Sequence, residues 1–544
     1  RYQNIDHIVT YLSEVKKDLN ETITDLFLQS QSLESLSDTI KKQLLKDQYS
    51  PNILVDHKES TGAPIIYEPN PTYQNLFGRI EYNNEQGALT TTYQRICAGS
   101  LHKANGGYLI LDADKLLEYP FVWEGLKRAL KSERIEIESP YSEFGVNTVT
   151  LKPEVIPLDI KIILVGPREI YYLLQDHDSE FNEMFRVLAD FDYVIPRTES
   201  SMQGFAQRMI QHANDSGAKT LSQSAIISLL EYSCRLAEHQ DRISAHLNDA
   251  LEIIGEANLF CKSDQITDEH IQTALNAREH RSGRIAQDIL EEMLNNTILI
   301  NTSGTAVGKI NGLTVLEVGD TSFGEPSRIT VTVYPGSRGI VDIEREAELG
   351  LSIHSKGVLI LTGYLGHSYA QEFPLAISAS IAMEQSYGHI DGDSASLAEL
   401  CCLISSLTST PINQSFAVTG SINQYGEVQA IGGVNQKIEG FFKLCAAREL
   451  TGEQGCIIPK ANVNNLMLKQ EIITAVEQGL FSIYAVSTVN EALELLTGEI
   501  IGEKNEVGEY PEDSLNFKVI SRLKAISELN HDKEPVDNED TEEA

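Results

Sequence analysis

The apolar positions fall into stretches with different periods. Over residues 1–48, Ile8, Leu12, Val15, Leu19 and Leu26 recur at helical spacing, Gln29 to Ser32 interrupt the seam, and Leu33, Leu36, Ile40 and Leu44 resume it. That spacing predicts two helices in an antiparallel hairpin, a packing or oligomer-contact element. Residues 49–72 are punctuated by Pro51, Gly62, Pro64, Pro69 and Pro71 and read as loop. The pattern then alternates. Gly107–Asp112 is an apolar strand ending in an acid, Trp123–Leu130 a helix, and Ile160–Val165 a second strand stopped by Gly166-Pro167. Phe181–Val187 reads as a short helix and Phe191–Ile195 as a third strand. Such alternation predicts a parallel sheet with helices on its faces.

Residues 197–285 read as polar-rich helices. Ile226, Leu229, Leu230 and Ser233 share one face, Leu247, Leu251, Ile254 and Ala257 another, and Thr267-Asp268 caps a third helix before Ile271. From about residue 286 the texture shifts to strands. Ile329–Tyr334 alternates, Val358–Leu361 is another apolar run, and Gly455–Pro459 and Phe481–Val486 read as buried strands. Ala376–Met383, Ala395–Leu407 and Thr488–Leu496 read as helices. Beyond Gly502 the chain turns acidic, with one short amphipathic helix available to Ile520, Leu523 and Ile526 before a disordered, solvated tail. The fold class predicted is multidomain, α/β followed by α+β.

Composition narrows this picture. A chain of 544 residues exceeds one core, and roughly two to four domains are expected. No apolar run reaches the ~18 residues of a membrane span and the N-terminus carries no signal-peptide pattern, so no membrane partner and a cytoplasmic location are expected. The seven cysteines are scattered without a Cys-x-x-Cys pair, which argues against a zinc site and for reduced thiols; Cys401-Cys402 reads as core packing. His239, His246, His270 and His280 show no ligand spacing. The net charge of −36 comes without an evident basic stripe, so nucleic acid is not an expected partner.

The candidate chemistry lies between Asp391 and Lys437. Asp391-Gly392-Asp393-Ser394-Ala395-Ser396 opens onto an apolar helix, and Thr419-Gly420-Ser421-Ile422, Gly426-Glu427-Val428 and Ile431-Gly432-Gly433 lead to Lys437. A serine hydroxyl needs a base to become a nucleophile. A lysine serves only when neutral, which near pH 7–8 asks for a fall of roughly 2–3 units from its free value. Val428, Ile431, Val434 and Ile438 could supply an apolar pocket that does this by desolvation. Ser394, at a helix start, would lie near unpaired N–H groups able to hold an oxyanion. Ser394 as a plain N-cap and Lys437 as a solvated lysine are the alternatives.

Those segments together, with the 43-residue step from Ser394 to Lys437, resemble the Lon protease family, in its bacterial Lon-like branch with a divergent ATPase half. The resemblance implies a Ser–Lys dyad, Ser394 as nucleophile and Lys437 as general base, supported by the Thr419 hydroxyl and by Asp391 in the serine turn. Asp393 departs from the pattern, standing where many members have proline. Leu101–Leu109 and Asn70–Leu76 resemble the ATPase half of the same branch. That likeness makes Asp112 the candidate acid holding Mg²⁺ beside ATP, and Arg186 the candidate arginine finger. Ala113 and His246 depart from the AAA+ pattern, where a glutamate and a phosphate-sensing arginine are common. The string Gly304–Ile310 is one residue short of a P-loop and precedes a strand-like run, so it is rejected as a phosphate cradle.

The resemblance implies a helical hairpin insertion over 1–50, an AAA+ core over 51–196, a helical lid over 197–285, a Lon-type α+β protease domain over 286–500 and an acidic tail over 501–544. A P-loop is then expected upstream of Arg1. The function implied is ATP-dependent serine endopeptidase action on unfolded or damaged polypeptides, in a homo-hexameric ring. The alternatives are a Lon-like peptidase that does not use ATP and a non-proteolytic AAA+ chaperone or scaffold.

Overall fold

A computed structural model describes residues 6–28, 38–58, 61–85, 88–137, 151–319, 321–505 and 508–531. The chain divides into two compact units, Arg1–Phe191 and Asp192–Ala544.

In the first unit, helices α1 (Asp6–Leu28) and α2 (Asp38–Tyr49) carry the first seam and the Ile40 and Leu44 end of the second, while the predicted break, with Leu33 and Leu36, lies outside the described residues. The Tyr11 hydroxyl donates to the Tyr49 carbonyl at 2.9 Å and the Tyr49 hydroxyl to Asp18 at 2.5 Å, fixing the end of α2 against α1. Downstream, β1 (Ile65–Glu68), β2 (Tyr108–Asp112) and β3 (Lys161–Val165) form a parallel sheet in that order. Helices α3 (Ala113–Glu118) and α4 (Val122–Ser132) follow β2, and Leu109, Leu111, Leu116 and Leu126 make the core. Strand β1 arises in a stretch read as loop, because Pro64 and Pro69 leave it only four residues. The strand read at Phe191–Ile195 does not join this sheet. It shortens to Val194–Pro196 and pairs antiparallel with Arg242–Ser244 in the second unit, since Asp192 and Pro196 interrupt the apolar run that a buried parallel strand requires. The helix read at Phe181–Val187 stops at Met184.

The second unit begins with α5 (Glu199–Asp215), α6 (Gln223–Leu236), α7 (Leu247–Phe260) and α8 (Asp268–Ser282), packed around Met209, Leu229, Ile253, Ile254 and Ile271. Thr267 stands at the N-cap of α8 as read, its N–H donating to His270 Nδ1 at 3.1 Å. After α9 (Arg284–Leu294) comes a seven-stranded mixed sheet. Its strands are β4 (Lys309–Val318), β5 (Thr321–Pro335), β6 (Gly339–Asp342), β7 (Ile377–Glu384), β8 (Phe416–Val418), β9 (Gly455–Pro459) and β10 (Ser482–Val486), in the spatial order β6-β7-β5-β4-β8-β9-β10. Strands β4 and β5 form a long antiparallel hairpin; β8, β9 and β10 run parallel.

Three readings in this unit are corrected. Val358–Leu361 lies inside helix α11 (Ser352–Tyr369), which α10 (Ile343–Glu346) precedes. Ala376–Met383 is not a helix but β7, with Ile377, Ala379, Ile381 and Met383 buried at a period of two. The stretch past Gly502 is not only a solvated tail. After α14 (Val489–Thr497), Leu515–His531 is helix α15, whose Leu515, Val519, Leu523 and Ile526 enter the main core, and Asn516 accepts a 2.7 Å hydrogen bond from Tyr369. Residues 532–544 lie outside the described residues.

Alternation along the strands builds a core on each face of the sheet. Val418 and Ile457 point to the side of α11, α12 (Ser396–Thr408) and α15; Ala417, Cys456 and Ile458 point to the side of α13 (Val434–Ala447). Cys401 and Cys402 are fully buried as read, and among the described residues every cysteine is a free thiol. Among the described residues no helix is long and apolar enough to cross a membrane.

Candidate active site

Helices α12 and α13 lie on opposite faces of the sheet, and their N-terminal ends meet beyond the C-terminal end of β8. Ser394 sits in the turn two residues before α12, after Gly392 at φ +92°. It is not the N-cap, a place taken by Ala395. Lys437 lies in the first turn of α13, which starts from Gly433 at φ +65°. Thr419, the residue after β8, is fully buried between them.

The Lys437 Nζ stands 2.8 Å from Ser394 Oγ and 3.3 Å from Thr419 Oγ1. The Thr419 hydroxyl donates to the Ser394 carbonyl at 3.3 Å, and the Gly420 N–H to the same oxygen at 2.8 Å. The serine turn is thereby held on the strand end. Among the described residues no hydrogen bond engages the Ser394 and Ala395 amide N–H groups, whereas those of Ser396 and Leu397 go to the Asp393 and Gly420 carbonyls. Two donors beside the hydroxyl are thus left free for an anion.

Lys437 is only 4 % exposed. Burial brings its ammonium down from 10.5 to about 8, against the nearby Asp393 carboxylate, which favours the charged form. Desolvation is the larger effect, so the amine loses its proton within reach of neutral pH.

The other sequence candidates fare differently. Asp391 is exposed, and its carboxylate accepts the N–H of Gly392 at 2.9 Å, so it shapes the turn. Asp112 ends the middle strand of the first unit's parallel sheet, at the edge where such sheets bind ligands. It makes no cap hydrogen bond; Lys115 pairs with it at 2.9 Å and the Tyr67 hydroxyl donates to it at 2.8 Å. Lys115 and then Tyr67 hold its carboxyl below the usual carboxylate range. Arg186 is exposed beyond the short Phe181–Met184 helix, its Nε donating to the Glu183 carbonyl at 3.0 Å. In this structure the Asp112 carboxylate is taken up by the Lys115 ammonium, so it would meet a cation only once Lys115 moved away.

Two supports of the lysine escaped the sequence reading. A Cβ on Gly324 of β5 would lie 2.0 Å from the Gln436 carbonyl oxygen and 2.7 Å from the Lys437 Cα, and one on Gly440 of α13 would lie 2.0 Å from the Gly324 carbonyl oxygen. Strand and helix therefore cross backbone to backbone under the amine. The spacing Lys437-x-x-Gly440 was the available signal. The second support is Arg235 of α6, whose guanidinium grips the Glu439 carboxylate of α13 with two hydrogen bonds of 2.5 and 2.8 Å and also donates to the Met467 carbonyl. Nothing local in the sequence marks partners 204 residues apart.

Comparison with known families gives three matches along the chain. Residues 61–192 match a LonB-like AAA domain, residues 220–281 the AAA+ ATPase lid domain of archaeal LonB, and residues 386–498 the C-terminal proteolytic domain of Lon protease. The chain is 39% identical over 426 residues to a Lon protease homolog of Escherichia coli, covering 78% of this chain and 71% of that protein. It is 35% identical over 436 residues to a Lon protease homolog of Haemophilus influenzae, covering 79% and 71%. With an archaeal Lon protease of Archaeoglobus fulgidus it shares 25% identity over 465 residues, covering 82% and 70%.

Proposed function

Since the chain belongs to the Lon protease family and joins an AAA module to a Lon-type proteolytic domain, we propose that it is a serine endopeptidase working through a Ser394–Lys437 dyad. The observation that carries this reading is the 2.8 Å contact between Ser394 Oγ and the nitrogen of a buried lysine. Neutral Lys437 takes the hydroxyl proton as Ser394 Oγ attacks the scissile carbonyl carbon. The oxyanion is met by the Ser394 and Ala395 N–H groups. Lys437 then passes the proton to the departing amine as the C–N bond breaks, leaving an ester on Ser394. Water, losing a proton to Lys437, attacks that ester, and the proton returns from Lys437 to Ser394 Oγ as the C–O bond breaks and the acid leaves. Thr419 keeps amine and serine turn in register.

The substrates proposed are unfolded or damaged polypeptides, delivered within a homo-hexameric ring whose dyads face an inner chamber. The proposed compartment is the cytoplasm, where the free cysteines stay reduced. Coupling to ATP and Mg²⁺ is proposed for the AAA module, with Asp112 contributing a carboxylate and Arg186 a cation. A peptidase indifferent to ATP is the second reading, favoured by the Lys115 ammonium on Asp112.

The test is cleavage of an unstructured protein by this chain and by Ser394→Ala, with and without ATP and Mg²⁺. Ser394→Ala should fold and lose cleavage; cleavage at the wild-type rate excludes the dyad. Stimulation by nucleotide supports the coupled reading, and indifference supports the second.

A further inference from the structure

Beneath the Ser394 turn, four ionisable side chains from four elements converge in the dry interior. Asp342 ends β6, Glu344 lies on α10, His354 is in the first turn of α11 and Glu399 in the first turn of α12. The Asp342, His354 and Glu399 side chains are 3%, 2% and 1% exposed, and Glu344 is buried with them. Backbone donors engage only part of this set. The Glu344 N–H donates to Asp342 Oδ1 at 3.1 Å, and the Met383 N–H to Glu344 Oε1 at 2.8 Å. Asp342 Oδ2, Glu344 Oε2, His354 Nε2 and Glu399 Oε1 are buried with no hydrogen-bond partner.

Each orphaned buried polar atom weakens the folded state. An ion between Asp342, Glu344 and His354 would engage three of the four. Like charges this close also resist ionising together unless a cation joins them. The geometry fits an ion better than direct pairing. One ligand atom from each of Asp342, Glu344 and His354 lies within 4.8 Å of the others. His354 Nε2 stands 3.5 Å from Asp342 Oδ1 and 3.9 Å from Glu399 Oε1. Those are ion-pair separations for a protonated imidazole, at or beyond the reach of a hydrogen bond. They approach the edge of about 3.4 Å of a tetrahedron built on metal–ligand bonds of ~2.1 Å. One imidazole nitrogen among carboxylate oxygens suits a divalent first-row transition ion; calcium and magnesium favour oxygen alone.

We propose that Asp342, Glu344 and His354, with Glu399 beside the imidazole, bind one divalent transition-metal ion, of the zinc or manganese class, as a structural clamp beneath the serine turn. The clamp is coupled to that turn twice. Glu399 stands on the helix that Ser394 precedes. Three residues after His354, Gly357 packs so closely on Asp393 that a Cβ there would lie 3.2 Å from the Asp393 Cβ. Removing the ion would loosen four elements at once.

The test uses the full chain and reads metal, so it does not depend on proteolysis. The protein is stripped with a chelator, reloaded with Zn²⁺, Mn²⁺ or Co²⁺, freed of unbound metal and assayed for metal per chain. The expected result is one tightly held ion, a rise in melting temperature on loading, and visible cobalt bands of a low-coordinate site. Asp342→Asn with His354→Gln should lose the ion. Should that variant not fold, the cobalt spectrum of the wild-type chain decides. A folded wild-type chain that retains no metal, retains it equally in the double variant, or gives only the weak spectrum of solvated cobalt overturns the proposal.

Discussion

At Lys437 two opposing effects can be weighed. Desolvation disfavours the ammonium and the Asp393 carboxylate favours it; the outcome is a value brought down from 10.5 to about 8. Such a depression is a cost to the folded state on the order of 3 kcal/mol at neutral pH. Folded protein releases this proton near pH 8 and the unfolded chain near 10.5, so between those values the unfolded chain binds more protons and stability rises with pH. Lys437→Met should therefore melt higher than the parent at pH 7, with the advantage narrowing as the pH climbs past 8. Thermal melts across pH check this, and a variant less stable than the parent at neutral pH would contradict it. The pairing of Ser394 with Lys437 was read through the family resemblance of the segments around each of them, not from local spacing, since the two stand 43 residues apart. Asp391 was read as a support of the same site, and its carboxylate accepts the Gly392 N–H.

Among the elements, misreadings came from windows too short to separate the two periods. Val358–Leu361 is apolar in every position and fits strand or helix. Extended to His354, Gly357, Val358, Leu361 and Leu365, the buried positions follow a helical repeat. Ile377–Met383 invited a helix through its alanines, but the alternation of Ile377, Ala379, Ile381 and Met383 wins once β7 is paired along β5. Strand β1 and the length of α15 were lost for a related reason. A four-residue strand between prolines has little pattern, and acidic residues around α15 mask its buried stripe. The crossing of β5 under α13 carries a prediction of its own. Gly324→Ala must push the helix off the strand, and displacing the amine by about 1 Å should lower cleavage about a hundredfold. Gly255→Ala, where a Cβ meets nothing within 4 Å, is the control that should leave cleavage unchanged. A Gly324→Ala chain that folds and cleaves like the control would show that the close crossing does not set the lysine.

The molecule as a whole joins two compact units with different sheets. In the second, the helical bundle and the protease sheet share one packed body, and Arg235 reaches from the bundle to the helix of Lys437. That long-range contact, like the buried Asp342–His354 cluster, exists only once the chain is folded, so composition and spacing could not announce it. The dyad itself is made the same way, by two helices on opposite faces of one sheet meeting at its edge. The central claim, that a lysine neutral near pH 8 activates Ser394, is tested most directly by the pH dependence of covalent labelling. The folded chain is treated with a serine-directed fluorophosphonate, and the modified residue and its rate are read by mass spectrometry. The account predicts label on Ser394, a rate that rises with pH and levels above about 8, and loss of labelling in Lys437→Met. Label elsewhere, or labelling of Ser394 at a rate indifferent to pH and to Lys437, would contradict it.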